Sequence, residues 1–376
     1  MKIGFPRALY YFDFFPFWTA FFHHLNIEVV ISPPTNRQIM DLGLKHASDE
    51  TCLPLKLLSG HIQALKAVDW VFLPRMVSVE PETYTCPKFL GIPESLLSSV
   101  PTGIQVLSVN LNWRKGHRLV LKDLQTMGET LGKSKTEIKQ AFYEGQKWQE
   151  KFQKTRGAEW NFEESIREIA YLSTCPVKPQ KKFVSWKERV FNKKGFMPHT
   201  NLTRIPLIKP TNLELLFEPD RLKIALVGHS YLIQESYANL NLLKKLREKA
   251  RVELVQHVDQ IEIETNLLEL RKKIFWSHSK QIYGAGNKFL ADPEIDGIIY
   301  LTCFGCGTDS IVQELLSRKA RQRHKPYMVI TLDEHSGEAG LITRLEAFLD
   351  MVERRRVHEG YVSTHGERLD CHSNTL

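Results

Sequence analysis

The run LKIALVG at residues 222–228 is followed by a helical pattern over 231–250 and a second apolar run at 252–258. The same alternation continues with helical stretches at 260–275 and 280–291, GIIYLT at 297–302, a helix at 309–320, YMVITL at 327–332 and a helix at 338–355. Short aliphatic and β-branched runs separated by helical stretches are the pattern of parallel strands covered on both faces. The opening KIALVGHSYL (223–232) echoes KIGFPRALYY (2–11) at the start of the chain. There the alternation repeats: a strand at 2–5, a helix at 10–25, and IEVVIS (27–32) ended by Pro33-Pro34. A polar helix at 36–46, a helix after Pro54 and strands at 68–73 and 104–109 follow. The fold class that follows is α/β, with two doubly wound, mostly parallel domains.

Between them the strand signals stop. Residues 136–156 read as an amphipathic helix with Ile138, Ala141, Phe142 and Trp148 on one face, and 173–220 as a Pro- and Lys-rich connection. The organisation expected is an N-terminal α/β domain at 1–111, a helical and basic connecting segment at 112–220, a C-terminal α/β domain at 221–357 and a disordered tail at 358–376.

Composition narrows the class. With 376 residues, 42% hydrophobic and 25% charged, the chain has ample material for two buried cores. The aromatic stretch 10–22 (YYFDFFPFWTAFF) is interrupted by Asp13 and Pro16 and is too short to span a bilayer, so it reads as a buried helix. No secretory pattern opens the chain, which points to the cytoplasm. The net charge of +8 is concentrated: from Arg114 to Lys223 there are 23 Lys+Arg against 13 Asp+Glu. Within that segment, 178–194 (KPQKKFVSWKERVFNKK) interleaves basic and aromatic side chains. Such a run serves RNA or the phosphates of coenzyme A, or else is a solvated or partner-docking surface. No G-x-x-x-x-G-K-[ST] occurs, and no G-x-G-x-x-G follows a strand, so any ATP in the system belongs to another chain.

Six cysteines stand at 52, 86, 175, 303, 306 and 371. In a cytoplasmic protein so few and so scattered argue for metal binding or burial rather than a disulfide framework. Three fall on strand-end loops beside Gly or Pro: Cys52 before Leu53-Pro54, Cys86 before Pro87, and Cys306 between Gly305 and Gly307. Open α/β sheets build their sites at the carboxyl ends of strands, and helix N-termini favour thiolate over thiol. Ligands drawn from distant segments in this way suit an iron–sulfur cluster between two domains. Cys303 completes a C-x-x-C with Cys306 and stays open as a fourth ligand, a redox neighbour or a buried residue, while Cys175 and Cys371 read as non-functional. Asp309 or Thr308 is expected to cap the helix after Cys306. Glu50, Lys56 and Lys88 stand near the cysteines as groups that tune a potential, or as solvated charges. Asp333-Glu334-His335 and Thr343-Arg344 follow the last strand, where they face the cleft or cap the last helix.

Six stretches in order, KIGFPRALYYFDFFPFW (2–18), VVISPPTNRQIMDLG (29–43), SDETCLPLKLLSGHI (48–62), VFLPRMVSVEPETYTCPKFLG (71–91), LTCFGCGTDSIVQELL (301–316) and TLDEHSGEAGLITRLEAF (331–348), carry a resemblance. Together they resemble the acyl-CoA dehydratase activase-related proteins, which are similar to the cluster-binding subunits of 2-hydroxyacyl-CoA dehydratases and to double-cubane cluster proteins. The resemblance implies a pair of flavodoxin-like domains with a [4Fe-4S] cluster between them. It implies Cys52, Cys86 and Cys306 as the three ligands, with one iron open. It also implies a separate ATP-hydrolysing activase as electron donor, a homodimer or sister subunit as partner, and an acyl-CoA substrate. A double-cubane cluster would want about six thiolates, so the single cluster is preferred. The function expected is the iron–sulfur component of a low-potential reductase or dehydratase. The alternatives are an electron-relay or scaffold subunit, with Cys303 as a fourth thiolate, and a metal-free protein that binds RNA or a partner through 178–194.

Overall fold

The computed structural model of the protein describes residues 1–156, 162 and 221–360. The segment carrying Cys175 and the basic run 178–194 lies outside the described residues, as does Cys371.

In the first half, strands β1 (Lys2–Phe5), β2 (Glu28–Ile31), β3 (Trp70–Phe72) and β5 (Gln105–Leu107) form one parallel sheet in the order β2-β1-β3-β5. A two-stranded parallel pair, β4 (Arg75–Ser78) with β6 (Asn110–Asn112), prolongs β3 and β5 beyond Pro74. In the second half β7 (Lys223–Gly228), β8 (Arg251–Leu254), β9 (Gly297–Cys303) and β10 (Tyr327–Leu332) form a second parallel sheet in the order β8-β7-β9-β10. Numbered within its own half, each sheet runs 2-1-3-4, the flavodoxin-like order, so the fold class stands as the sequence predicts and the echo between 2–11 and 223–232 has a topological counterpart.

Side-chain alternation explains why each sheet is covered twice. On β7, Ile224 and Leu226 enter a core shared with the first half, whereas Ala225 and Val227 enter a second core under the later helices. Helix α1 (Tyr11–His24) is the buried aromatic helix expected, despite Pro16 inside it. It lies between the first sheet and α7 (Lys135–Arg156): the Trp18 ring is 4.5 Å from Phe72 on one side and Phe17 is 5.8 Å from Phe142 on the other. Among the described residues no helix is long and apolar enough to cross a membrane.

Helix α6 (His117–Thr130) lies in the segment expected to be helical. Two expectations yield to tertiary contacts. The single helix expected at 231–250 is two, α8 (Ser230–Ile233) and α9 (Leu242–Lys249). Between them Leu240 and Asn241 adopt positive φ, and the Asn239 amide donates to the carbonyls of Leu232 and Ile233. The helix expected at 260–275 is only α10 (Gln260–Thr265), capped by Asp259. Its continuation is drawn out because Tyr84 N donates to Phe275 O (2.6 Å) and Ser277 N to Tyr84 O (2.8 Å), a strand-like bridge between the halves. The last helix, α13 (Glu338–Gly360), runs to Gly360.

The two halves meet through partly buried polar contacts. Ser230 Oγ donates to the Asp13 carboxylate (2.7 Å), and Lys56 pairs with Glu334 (2.5 Å). The imidazole of His61, on α3 (Leu53–Ala64), lies between Ser32 Oγ (2.8 Å from Nδ1) and Thr35 Oγ1 (2.9 Å from Nε2), and Thr35 donates to Glu235. Because the Thr35 proton goes to Glu235, Nε2 carries the hydrogen and Nδ1 accepts from Ser32. Burial, and then the nearby Arg7 charge, lower His61 to about 3. The depressed value sets the sign. Stability held by the neutral ring is present above the unfolded value near 6.5 and is lost as the pH falls toward 3, at about 1.4 kcal/mol per unit. Thermal melts should therefore show an acid loss of about 2.5 kcal/mol between pH 7.5 and 4.5 from this residue alone. In His61→Gln the melting temperature should be lower at pH 7.5 but fall less on acidification; an unchanged acid slope would contradict the assignment.

Candidate functional site

In each sheet the chain order reverses between the first and third strands, and the crevice outside their carboxyl ends is where such sheets bind ligands. In the second half that crevice lies beyond β7 and β9. Strand β9 is buried along its whole length and ends at Cys303. Phe304 and Gly305 then turn the chain, with Gly305 at φ 77°, and Cys306 becomes the N-cap of α12 (Gly307–Gln322). Glycine is required at 305 because this left-handed backbone strains any residue with a Cβ.

Cys52 and Cys86 reach the same place from the first half. Cys52 is the N-cap of α3, and Cys86 that of α4 (Pro87–Leu90), each with proline in the first turn. The backbone N–H groups of Leu55 and Lys88, in the first turns of these helices, act on the Cys52 and Cys86 sulfurs, whereas the Cys306 side chain makes no cap hydrogen bond. The Cys303 thiol is within hydrogen-bond reach of both Cys52 and Cys306, and Cys86 is within electrostatic reach of Cys52 and Cys306. All four described cysteines are free thiols.

Their electrostatics differ. The Cys303 thiol lowers Cys306 to about 5, with burial opposing and His229 assisting. The same thiol lowers Cys52 to about 7, against burial and with help from the Lys88 charge. Cys303 is held well above its ordinary value by those two sulfurs and by burial, and burial pushes Cys86 up. Two sulfurs therefore favour thiolate and two favour thiol in the bare protein.

His229, which the sequence reading missed, and Asp309, read there only as a helix cap, lie beside Cys306. His229 directly follows β7 and is buried, with Nε2 at 3.0 Å from Asp309 Oδ1 and 3.9 Å from Cys306 Sγ. Asp309 is not a cap. The helix begins at Gly307, so its carboxylate sits in the first turn facing inward, where it accepts from Tyr300 OH (3.0 Å) and Thr302 Oγ1 (2.8 Å). Thr308 Oγ1 lies 3.6 Å from Cys306 Sγ rather than capping the helix. Burial opposes charge on both His229 and Asp309, but each partner outweighs it: the histidine is held well above its ordinary range and the carboxyl below. Placement of His229 immediately after a first strand at the reversal point was the one signal available in the sequence.

The polar residues expected nearby separate into two groups. Lys56 is buried and joined to Glu334, bridging the halves beside the cysteines. Lys88 Nζ donates to the Glu50 carbonyl (3.2 Å) and holds the loop before Cys52. Asp333 accepts from His335 N and Ser336 Oγ, Thr343 donates to Ala339 O, and Arg344 donates to Val329 O, so these residues serve the turn, helix and strand locally. The donor set, four sulfurs from three segments with three at helix N-termini, fits a thiolate-bound cluster in kind.

No curated protein matches the chain significantly. Residues 2–257 match the family described as CoA enzyme activase uncharacterised domain, a span that includes Cys52, Cys86 and His229 and ends before Cys303. Since that match covers well over half of the 376 residues, the chain belongs to the CoA enzyme activase uncharacterised domain family.

Proposed function

We propose that this protein is the iron–sulfur component of an activase-coupled, low-potential reductase or 2-hydroxyacyl-CoA dehydratase-like system in the cytoplasm. A [4Fe-4S] cluster would be held by Cys52, Cys86 and Cys306, and a separate ATP-hydrolysing activase would supply the electron. The observation that carries this reading is the convergence of four free thiols from both halves of the chain, the outermost two 254 positions apart in the sequence. Such a cluster stores and passes single electrons, and an iron without a fourth thiolate can polarise a carbonyl.

The chain's own residues supply the rest. Helix N-termini at Cys52 and Cys306 favour the anionic sulfurs, and the Lys56–Glu334 pair joins the two halves beside the site. The acyl-CoA substrate, and a homodimer or sister cluster subunit as partner, belong to the same reading. A second reading, an electron relay with a saturated cluster, is favoured by the position of Cys303 between Cys52 and Cys306. In both, anaerobic purification should yield about four irons and four sulfides per chain. Dithionite reduction should then produce an EPR signal that reduced activase with ATP also elicits. Wild-type protein without iron under strict anaerobiosis would sink both readings.

A further inference from the structure

We propose that His229 is a positioning residue for Cys306, whose ring N–H reaches the Cys306 sulfur and raises the reduction potential of the cluster that this sulfur helps to hold. The inference rests on the iron–sulfur reading above. The ring is fixed by its surroundings: it is 3% exposed, stacks on Tyr231 at 4.8 Å with an 11° interplanar angle, and meets His278 edge-on at 5.7 Å.

Asp309 decides where the hydrogen is. Its carboxylate can only accept, and it already takes the hydroxyls of Tyr300 and Thr302, so the His229 nitrogen 3.0 Å away must present an N–H. That nitrogen, Nε2, is also the one 3.9 Å from Cys306 Sγ, a hydrogen-bond distance for sulfur. Nδ1 is buried without a partner.

The arrangement is not a nucleophilic triad. In a triad one ring nitrogen faces the nucleophile and the other the carboxylate, so that a proton can be taken from the thiol. Here a single nitrogen faces both groups, and no acceptor nitrogen is turned to the sulfur. The ring is therefore built to donate. An N–H directed at a ligating sulfur stabilises the more negative, reduced state, and this is one of the ways proteins set cluster potentials.

Variants that separate ring from donor provide the test. His229→Phe keeps an aromatic ring against Tyr231 and removes the N–H, whereas His229→Gln keeps an N–H and removes the ring. Iron content should match wild type in both. In His229→Phe the oxidised-to-reduced ratio at a fixed potential should change at least tenfold toward the oxidised form, a midpoint lower by about 59 mV for one electron. His229→Gln should restore most of that shift. Should the Phe variant not fold, His229→Leu, which also removes the N–H, carries the same expected direction. The proposal is overturned if the Phe or Leu variant keeps the wild-type potential and EPR line shape, or if Gln and Phe shift alike. A wild-type protein that carries iron while these variants stay silent defeats this inference alone; one without iron defeats it together with the function.

Discussion

Cys306→Ser is expected to reduce the iron retained after anaerobic purification by at least about tenfold, and Cys52→Ser and Cys86→Ser to do the same. The substitution is informative because it should spare the fold. All three cysteines are helix N-caps, and serine, whose hydroxyl accepts the same first-turn N–H groups, is among the preferred N-cap residues. Helices α3, α4 and α12 should therefore begin as well or better, and circular dichroism and melting temperature should stay near wild type. Iron loss then reports ligation rather than unfolding. Cys303→Ala decides between the two readings of the site. Full iron retention leaves a three-thiolate cluster with an open iron, whereas loss comparable to the other three makes Cys303 a fourth ligand and the protein a relay. If Cys52→Ser, Cys86→Ser and Cys306→Ser all keep their iron, the ligand assignment is wrong.

Gly60→Ala is expected to destabilise the protein by about 3 kcal/mol, lowering the melting temperature by roughly 6–12 °C, and Gly43→Ala to act similarly. Helix α2 (Arg37–His46) and α3 cross in backbone contact. A Cβ at Gly60 would sit 2.0 Å from the Ile39 carbonyl oxygen, and one at Gly43 would sit 2.1 Å from the Lys56 carbonyl oxygen. The obstructing atoms are backbone on both sides, so no side-chain rotation relieves the clash and the helices must move apart. Helix α3 carries Cys52 at its start, Lys56 in its first turn and His61 near its end, so separation should also displace a sulfur and lower iron retention. Gly340→Ala, in α13 with nothing within 4 Å of the added methyl, should be neutral or raise the melting temperature. Equal melting temperatures for all three variants would contradict the packing argument.

Much of this protein is written locally. The apolar runs at 2–5, 223–228, 297–303 and 327–332 are strands because aliphatic and β-branched residues in short blocks between helical stretches can be buried on both faces only in a parallel sheet. Cys52, Cys86 and Cys306 fall at helix starts because the Gly and Pro beside them break one element and begin the next, which is a property of a few neighbouring residues. That placement was enough to give the fold class and the three helix starts, but not the strand-end position read for Cys52, which follows α2 rather than a strand.

Other features depend on residues far apart in the chain. The pattern at 231–250 satisfies a single helix, yet Asn239 bonding back to Leu232 and Ile233 stops it. The stretch at 266–275 was read as a continuation of the helix, but pairing of Tyr84 with Phe275 and Ser277 draws it out. Asp309 has the composition of a cap, and it is the position of His229, eighty residues earlier, that turns it into the anchor of a buried histidine. Lys56 and Glu334, separated by 278 positions, make one partly buried pair. Periodicity and capping are short-range rules that act over a turn or two, so they specify elements and their ends. A buried charge or an unpaired N–H must instead find its partner wherever packing brings one within about 3 Å, and that choice is made only when the two sheets close on each other.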